Sequence, residues 1–178
     1  MKEKSDLGFG TLAVHGGQEP DPSTGAVMPP VYFTTTYAQS APGDHKGYEY
    51  SRSKNPTRIA LEKNLAAIEG GKFGIAFGSG MAAVSAVIQL LKPGDHVIST
   101  NDLYGGSYRL FTKVFEQYGV DFSFVPMGSA GEVEASLKAN TKLIWVETPT
   151  NPMLNIIDIQ AISEIASAHG IHLAVDNT

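Results

Sequence analysis

The chain has 178 residues, of which 42% are hydrophobic and 17% charged, and its formal net charge is −5. This length and apolar content predict a domain with a hydrophobic core rather than a disordered chain, and the negative charge argues against a nucleic-acid binder. Because there is no cysteine, disulfides and thiolate metal sites are excluded, and we predict no metal site. No apolar run reaches the roughly 20 residues of a spanning helix, and no apolar stretch follows the charged start, so we predict a cytoplasmic protein that does not enter a membrane.

Residues 1–56 show no sustained hydrophobic periodicity but contain many glycines, prolines and aromatic residues. Such a segment cannot bury a face of its own, yet it is too aromatic for a solvated tail. We interpret it as an extended N-terminal arm that packs on a neighbouring subunit. A long surface loop over its own domain fits the same pattern, and the sequence leaves both readings open.

From residue 55 onward, the pattern becomes regular. Asn55 and Pro56 are typical of a helix N-cap and first position, and the apolar stripe that follows ends at Gly70-Gly71. Short apolar runs then predict strands over 73–77, 96–99, 120–125, 143–146 and 171–175, separated by helices over 81–91, 107–118, 131–139 and 158–169. Strands that alternate with helices predict an α/β fold with a mostly parallel sheet and helices on both faces.

Ligands of such sheets bind beyond the carboxyl ends of the strands, so we examined the loops that follow each strand. Gly78-Ser-Gly-Met opens a helix, and its small residues would let an anion approach the free backbone N–H groups of the helix N-terminus. The same letters also fit a plain strand-to-helix turn. They match neither a dinucleotide fingerprint nor a P-loop, because the third glycine of the first and the lysine of the second are missing.

Three further loops carry polar or aromatic residues at the expected places. Tyr104 precedes two glycines, where its ring could stack on a flat ligand, and Asn151 lies between two prolines that fix an irregular connection. Asp176 ends an apolar strand, where a carboxylate is unfavourable unless it meets a positive partner such as a protonated ring nitrogen. Each loop alone also fits an ordinary structural turn or cap, and for the Tyr104 loop by itself a plain turn is the favoured interpretation.

Taken together, the motifs match one family. Tyr50-Ser-Arg-Ser, Asn55-Pro-Thr-Arg, Ser79-Gly-Met-Ala, Tyr104-Gly-Gly, Glu147-Thr-Pro-Thr-Asn-Pro and Val175-Asp-Asn-Thr follow one another in that order. This resembles the cystathionine γ-lyase, cystathionine γ-synthase and methionine γ-lyase family of pyridoxal-phosphate enzymes, from about Thr11 onward. The resemblance implies the large domain of a fold-type I pyridoxal-phosphate-dependent transferase, with 1–56 as an intersubunit arm and 57–178 as the N-terminal part of an incomplete cofactor-binding domain.

The resemblance also implies roles at the cofactor phosphate. The backbone at Gly80 and Met81 would hold the phosphate, and Tyr50 and Arg52 would reach it from a neighbouring subunit. Arginine suits this contact because its planar fork binds phosphate oxygens in pairs.

At the cofactor ring, the resemblance implies four further roles. Tyr104 would stack on the pyridine ring and act as an acid–base group, and Asn151 would bond the ring hydroxyl. Asp176 would pair with the ring nitrogen, with Thr178 beside it as a support.

The activity implied is γ-elimination or γ-replacement on cystathionine or a related sulfur amino acid, by a homotetramer built as a dimer of dimers. Tyr104-Gly-Gly resembles the cystathionine enzymes, whereas methionine γ-lyases have Tyr-Gly-Cys, so cystathionine γ-lyase is our first choice, ahead of the synthase. The family's cofactor-bearing lysine lies beyond Val-Asp-Asn-Thr, and its substrate-binding arginine lies in a C-terminal domain. We therefore expect this chain to be a fragment that is inactive by itself.

Two other classes make different predictions. A nucleotide-dependent oxidoreductase or transferase would need a three-glycine turn and an acidic residue after the second strand, for which Asp102 is a faint candidate. A non-catalytic assembly module would use the aromatic arm as its active surface and would self-associate without the absorbance of a cofactor.

Overall fold

A computed structural model describes residues 7–178, which divide into two compact units, one ending at Phe77 and the other spanning Gly78–Thr178. Within these residues, no helix has both the length and the apolar character that crossing a membrane requires.

The first unit contains two helices, α1 (Phe9–His15) and α2 (Pro56–Ile68). The predicted start of α2 is confirmed, because Asn55 caps it by accepting the Thr57 N–H at 2.9 Å. The segment before residue 56, interpreted from the sequence as an extended arm, is not extended throughout, since α1 lies there. At 7 residues, α1 is too short for a periodic pattern to emerge. It is tied to α2 by the Asn64 amide, which donates to the backbone oxygens of Leu12 and Gly16.

The strand predicted over 73–77 was also wrong. The segment forms no regular element, no strand pairs with it among residues 7–178, and Phe73 is 76% exposed. The Ala76 N–H donates instead to the side chain of Glu62 in α2, at 3.0 Å from Oε1. Alternating apolar residues show that a segment suits a pleated surface, but a strand also needs a hydrogen-bonded neighbour.

The second unit is built on one parallel sheet. Its strands are β1 (His96–Thr100), β2 (Asp121–Val125), β3 (Thr141–Glu147) and β4 (His172–Asp176), in the order β2-β1-β3-β4. All three strand pairs are parallel, and the predicted α/β class is confirmed. The helix α3 (Gly80–Ile88) precedes β1, and the connections between the strands contain α4 (Gly105–Lys113), a 3-10 helix (Phe115–Tyr118), α5 (Ala130–Ala135) and α6 (Ile159–His169). As predicted, glycines in left-handed conformations end two of the helical segments, Gly119 at φ 83° and Gly170 at φ 63°.

Both faces of the sheet are covered, as the mostly apolar strands require. On one face, Val97 of β1 and Trp145 of β3 pack with α3 and with Phe111 of α4. On the other face, alternate residues of the same strands, such as Ile98 and Ile144, pack with α5 and α6. This period of two directs side chains to opposite faces and leaves the carboxyl ends of the strands free to carry loops.

His96, the first residue of β1, links three strands through its side chain. Its fully buried imidazole lies 2.8 Å from Thr141 Oγ1 through Nδ1 and 2.8 Å from Ser123 Oγ through Nε2. Burial lowers the pKa of His96, and the positive charge of Lys138 lowers it further. The imidazole therefore links β1 to β2 and β3 at the end of the sheet opposite the loops.

Candidate active site

A cavity of about 710 Å³ lies in the second unit, where β3 and β4 end and α3 and α4 begin. It is lined by six of the eight predicted cofactor residues: Gly80, Met81, Tyr104, Asn151, Asp176 and Thr178. The other lining residues are Ser79, Val84, Ser107, Glu147, Pro149, Thr150 and Leu154. Residues from four separate loops therefore meet around one space.

The N-terminus of α3 offers a place for an anion. Ser79 caps the helix by accepting the Ala82 N–H at 3.2 Å. The first N–H groups of a helix have no partner inside it, and in residues 7–178 no hydrogen bond is formed by the N–H of Gly80 or Met81. A Cβ built on Gly80 would meet nothing within 4 Å. These open donors at the positive end of the helix suit a phosphate.

Tyr104 is the N-cap residue of α4, and its ring lies against the backbone of the first helical turn. A Cβ at Gly106 would come within 2.3 Å of the Tyr104 ring and 2.9 Å of Met81 Sδ. Only glycine therefore permits this position of the ring. Beside the neighbouring Gly105, the nearest atom to a Cβ is Arg109 Nη1 at 3.4 Å, so the constraint concerns position 106 alone.

Asp176 ends β4 and is held by the residue predicted to support it. Its Oδ1 accepts the N–H of Thr178 at 3.1 Å and the hydroxyl of Thr178 at 2.6 Å. Across the sheet it is in register with Glu147, the last residue of β3. Two carboxylates thus stand side by side where the strands open into the cavity.

Glu147 begins the Glu147-Thr-Pro-Thr-Asn-Pro motif, but no role was predicted for its side chain from the sequence. Its side chain is only 5% exposed, and its two oxygens accept the backbone N–H of Tyr104 at 3.0 and 2.9 Å. Burial raises the pKa of Glu147, the Tyr104 N–H opposes this effect, and the negative charges of Asp176 and Asp102 raise it further. The signal used for Asp176, a carboxylate at the end of an apolar strand, would have found Glu147 as well.

Asp102 and Thr150 form a second connection beside the cavity. Asp102 Oδ2 accepts the Thr150 hydroxyl at 2.5 Å and the Met153 N–H at 3.0 Å. Thr150 in turn accepts the N–H of Asn155 at 2.9 Å. These bonds shape the turn that carries Asn151, so Asp102 is a loop-organising residue here rather than a ribose ligand.

Ser107, in the first turn of α4, is fully buried on the cavity wall, and its hydroxyl has no hydrogen-bond partner within the described chain. No pattern in the sequence distinguishes it. Buried hydroxyl groups normally have partners, so this one is an unsatisfied polar group beside the cavity.

Tyr50 and Arg52 belong to the first unit, where the Arg52 guanidinium lies 5.2 Å from the centre of the Tyr50 ring. Their contribution to a phosphate site on another subunit stays a prediction.

The residues around the cavity fit pyridoxal phosphate. Free amides at the start of α3 match the phosphate, the Tyr104 ring provides a flat surface, and Asp176 provides a negative charge for a protonated ring nitrogen.

Comparison with known proteins agrees with this chemistry. The family described as Cys/Met metabolism PLP-dependent enzyme matches residues 10–178. A cystathionine beta-lyase of Coxiella burnetii is 52% identical over 94% of this chain and 44% of its own length. A cystathionine gamma-lyase of Bacillus subtilis is 51% identical, again over 94% of this chain and 44% of its own length.

Among solved structures, that of metB from Corynebacterium glutamicum superposes with a TM-score of 0.93 at 49% identity, covering 99% of this chain and 46% of that one. The chain therefore spans about half the length of the relatives it matches. The predicted resemblance is confirmed, and pyridoxal phosphate is the cofactor that it brings. This chain belongs to the Cys/Met metabolism family of pyridoxal-phosphate-dependent enzymes.

Proposed function

We propose that this chain is the N-terminal part of an enzyme that cleaves the Cγ–S bond of cystathionine or a related sulfur amino acid. The observation that carries the proposal is the convergence of six predicted cofactor residues on one cavity at the carboxyl ends of a parallel sheet. Ligand sites of open α/β sheets are found at this edge.

Each residue has a role that its position supports. Pyridoxal phosphate, when bound, supplies the electron withdrawal that makes the protons of the substrate acidic. The amides of Gly80 and Met81 would bind its phosphate, and the Asp176 carboxylate, oriented by Thr178, would hold a proton at its ring nitrogen. The Tyr104 ring would cover the pyridine face and its hydroxyl would move a proton, while Asn151 would bond the ring hydroxyl.

The preference for cystathionine over methionine is supported by Gly106. With the Tyr104 ring in the position seen here, no Cβ fits at 106. A cysteine at that place, as in the Tyr-Gly-Cys of methionine γ-lyases, would need a different ring position. The sequence preference and the packing therefore point to the same subgroup.

Relatives named for β-lyase and γ-lyase activity are 52% and 51% identical, and the products of the reaction distinguish the two cleavages. γ-Elimination of cystathionine releases cysteine, 2-oxobutanoate and ammonia. β-Elimination releases homocysteine, pyruvate and ammonia. γ-Replacement instead forms cystathionine from cysteine and an activated homoserine ester, with release of the ester's acyl group as a carboxylate.

The arm proposal concerns residues 1–56, which we propose to complete the cofactor site of a neighbouring subunit through Tyr50 and Arg52. It is supported by the exposure of apolar side chains in this segment: Val27, Met28, Val31 and Phe33. Large exposed apolar patches commonly mark interaction surfaces. The homotetramer and the cytoplasmic location stay predictions.

The test uses the longer protein that contains this chain, titrated with pyridoxal phosphate and then supplied with L-cystathionine. We expect a visible absorbance band and 2-oxobutanoate as the keto acid. Asp176→Asn should weaken cofactor binding by roughly 10- to 150-fold, because a hydrogen bond between charged groups contributes about 1.5–3 kcal/mol.

The matched control is Asp158→Asn, which removes a carboxylate from the N-cap of α6. Asparagine caps a helix as well as aspartate does, so this variant should bind the cofactor as wild type does. Pyruvate as the main keto acid would contradict cleavage of the Cγ–S bond and show cleavage of the Cβ–S bond instead. Self-association without cofactor binding would favour a non-catalytic assembly module.

A further inference from the structure

Two loops beside the cavity are joined by two carboxylates. Each carboxylate belongs to one loop region and accepts hydrogen bonds from the other. The first loop follows β1 and contains Asp102 and Tyr104, and the second follows β3 and contains Thr150 and Met153. Because β1 and β3 are adjacent and parallel, both loops leave the sheet at the same edge.

Each loop donates hydrogen bonds to a carboxylate of the other loop region. From the end of β3, Glu147 accepts the Tyr104 N–H with both oxygens, at 3.0 and 2.9 Å. From the first loop, Asp102 accepts the Thr150 hydroxyl at 2.5 Å and the Met153 N–H at 3.0 Å. We call this reciprocal pair of carboxylates, Asp102 and Glu147 with their bonded partners, the loop clamp.

The setting makes these bonds effective. Glu147 and Thr150 are buried, and charge-assisted hydrogen bonds shielded from water are stronger than exposed ones. Tyr104 forms no side-chain cap bond at the start of α4, but Glu147 accepts the backbone N–H of Tyr104 itself, which no carbonyl of the helix can accept, and places a negative charge near the positive end of the helix. The Glu147 backbone is itself fixed, since its N–H donates to Thr100 Oγ1 at 3.2 Å.

The two halves of the clamp fix the two sides of the cavity. Glu147 holds the residue whose ring would cover one face of the cofactor, and Asp102 holds the turn that carries Asn151. We propose that Asp102 and Glu147 are positioning residues that set the separation between the Tyr104 ring and the Asn151 amide. They act through those two residues, and the inference rests on the proposed function.

The experiment uses the longer protein with pyridoxal phosphate and compares Glu147→Ala, Glu147→Gln and Asp102→Ala. Losing one charge-assisted bond should weaken cofactor binding by roughly 10-fold or more in each alanine variant. Each should also change the circular dichroism of the bound cofactor in its visible band. Glutamine keeps an acceptor oxygen for the Tyr104 N–H, so Glu147→Gln should restore most of both signals.

Two control variants remove similar carboxylates elsewhere in the second unit. Glu132 accepts the Gly128 N–H at 2.9 Å beside α5, and Asp95 accepts the Lys92 N–H at 2.8 Å at the opposite end of β1 from the cavity. Glu132→Ala and Asp95→Ala should leave cofactor affinity and the visible dichroism unchanged. Equal losses in the controls and in the clamp variants would show a general loss of stability and overturn the positioning role.

Amide hydrogen exchange of the cofactor-free protein tests the clamp separately from the cofactor. Glu147→Ala should speed exchange at Tyr104, and Asp102→Ala should speed exchange at Met153. Unchanged exchange at both amides would overturn the clamp even if the wild-type protein binds the cofactor. A wild-type protein that shows the clamp but binds no pyridoxal phosphate would instead overturn the proposed function, and the positioning role with it.

Discussion

In the second unit, apolar side chains from both faces of the sheet are enclosed by helices, whereas in the first unit most large apolar side chains face outward. Phe111 in α4 has no exposed surface, while Phe33 in the first unit is 99% exposed. Neither α1 nor α2 contains a buried residue. The second unit thus contains its own stabilising core, and the first unit offers apolar surface that its own residues leave uncovered.

The largest effect is expected when a phenylalanine side chain is removed from the core of the second unit. Phe111 stacks on Phe122 with ring centres 5.0 Å apart and meets Trp145 edge-on at 5.6 Å. Phe111→Ala should destabilise the second unit by about 3–5 kcal/mol, because it removes buried area and leaves a cavity. Chemical unfolding monitored by Trp145, the only tryptophan in the chain, measures this loss. A change below about 1 kcal/mol would mean that this core contributes little.

The next effect concerns the tight contact over Gly106. Gly106→Ala should destabilise the second unit by about 1–3 kcal/mol, as overpacked sites do, and displace the Tyr104 ring. The matched control is Gly105→Ala, where the added Cβ has room and alanine is the better helix former by about 1 kcal/mol. Unfolding midpoints and cofactor affinity should therefore separate the two variants. Equal behaviour would contradict the proposed fit of ring and glycine.

A smaller effect should appear in the pH dependence of stability. The folded state lowers the pKa of His96, mainly through burial, so the unfolded state binds more protons between that lowered value and about 6.5. The free energy of unfolding should therefore fall as pH decreases below about 6.5, by about 1.4 kcal/mol for each unit by which the pKa is lowered. His96→Gln removes the titrating ring and should flatten this slope in urea unfolding measured at several pH values. If the slope persists unchanged in the variant, groups other than His96 cause the pH dependence.

The smallest effect is expected in the first unit. Phe33→Ala removes a side chain that touches almost nothing, so the stability of the chain should change by less than about 0.5 kcal/mol. In the longer protein, the same variant should weaken subunit association if the arm packs on a neighbour, as analytical ultracentrifugation would show. A large loss of stability in the isolated chain would instead place Phe33 in a core of its own unit.

Much of the second unit was predictable because its signals are local. Apolar runs and glycines after helices depend on a few neighbouring residues, and all four strands from residue 96 onward lie where the pattern predicts them. The segment 73–77 failed for the opposite reason, since strand formation depends on a partner that its own letters do not specify. α1 was missed because seven residues carry too little periodicity.

The candidate site shows the same division. Asp176 and Tyr104 could be found from their place after a strand and before glycines. The unpaired hydroxyl of Ser107 and the bonds from Asp102 to Thr150 depend on which loops lie side by side, and no single loop contains that information. Glu147 could have been found by the rule applied to Asp176, but the main-chain N–H that it binds is invisible in a sequence.

His96 fastens three strands at one end of the sheet, and the cavity opens at the other. Strand alignment is therefore secured far from the residues that would touch a ligand. Residues in the loops around the cavity can therefore be substituted without disrupting the pairing of the strands. The residues that keep the strands in register are thus separate from the residues that would select a ligand. Substitutions in the second group can change ligand binding while the strand register is kept.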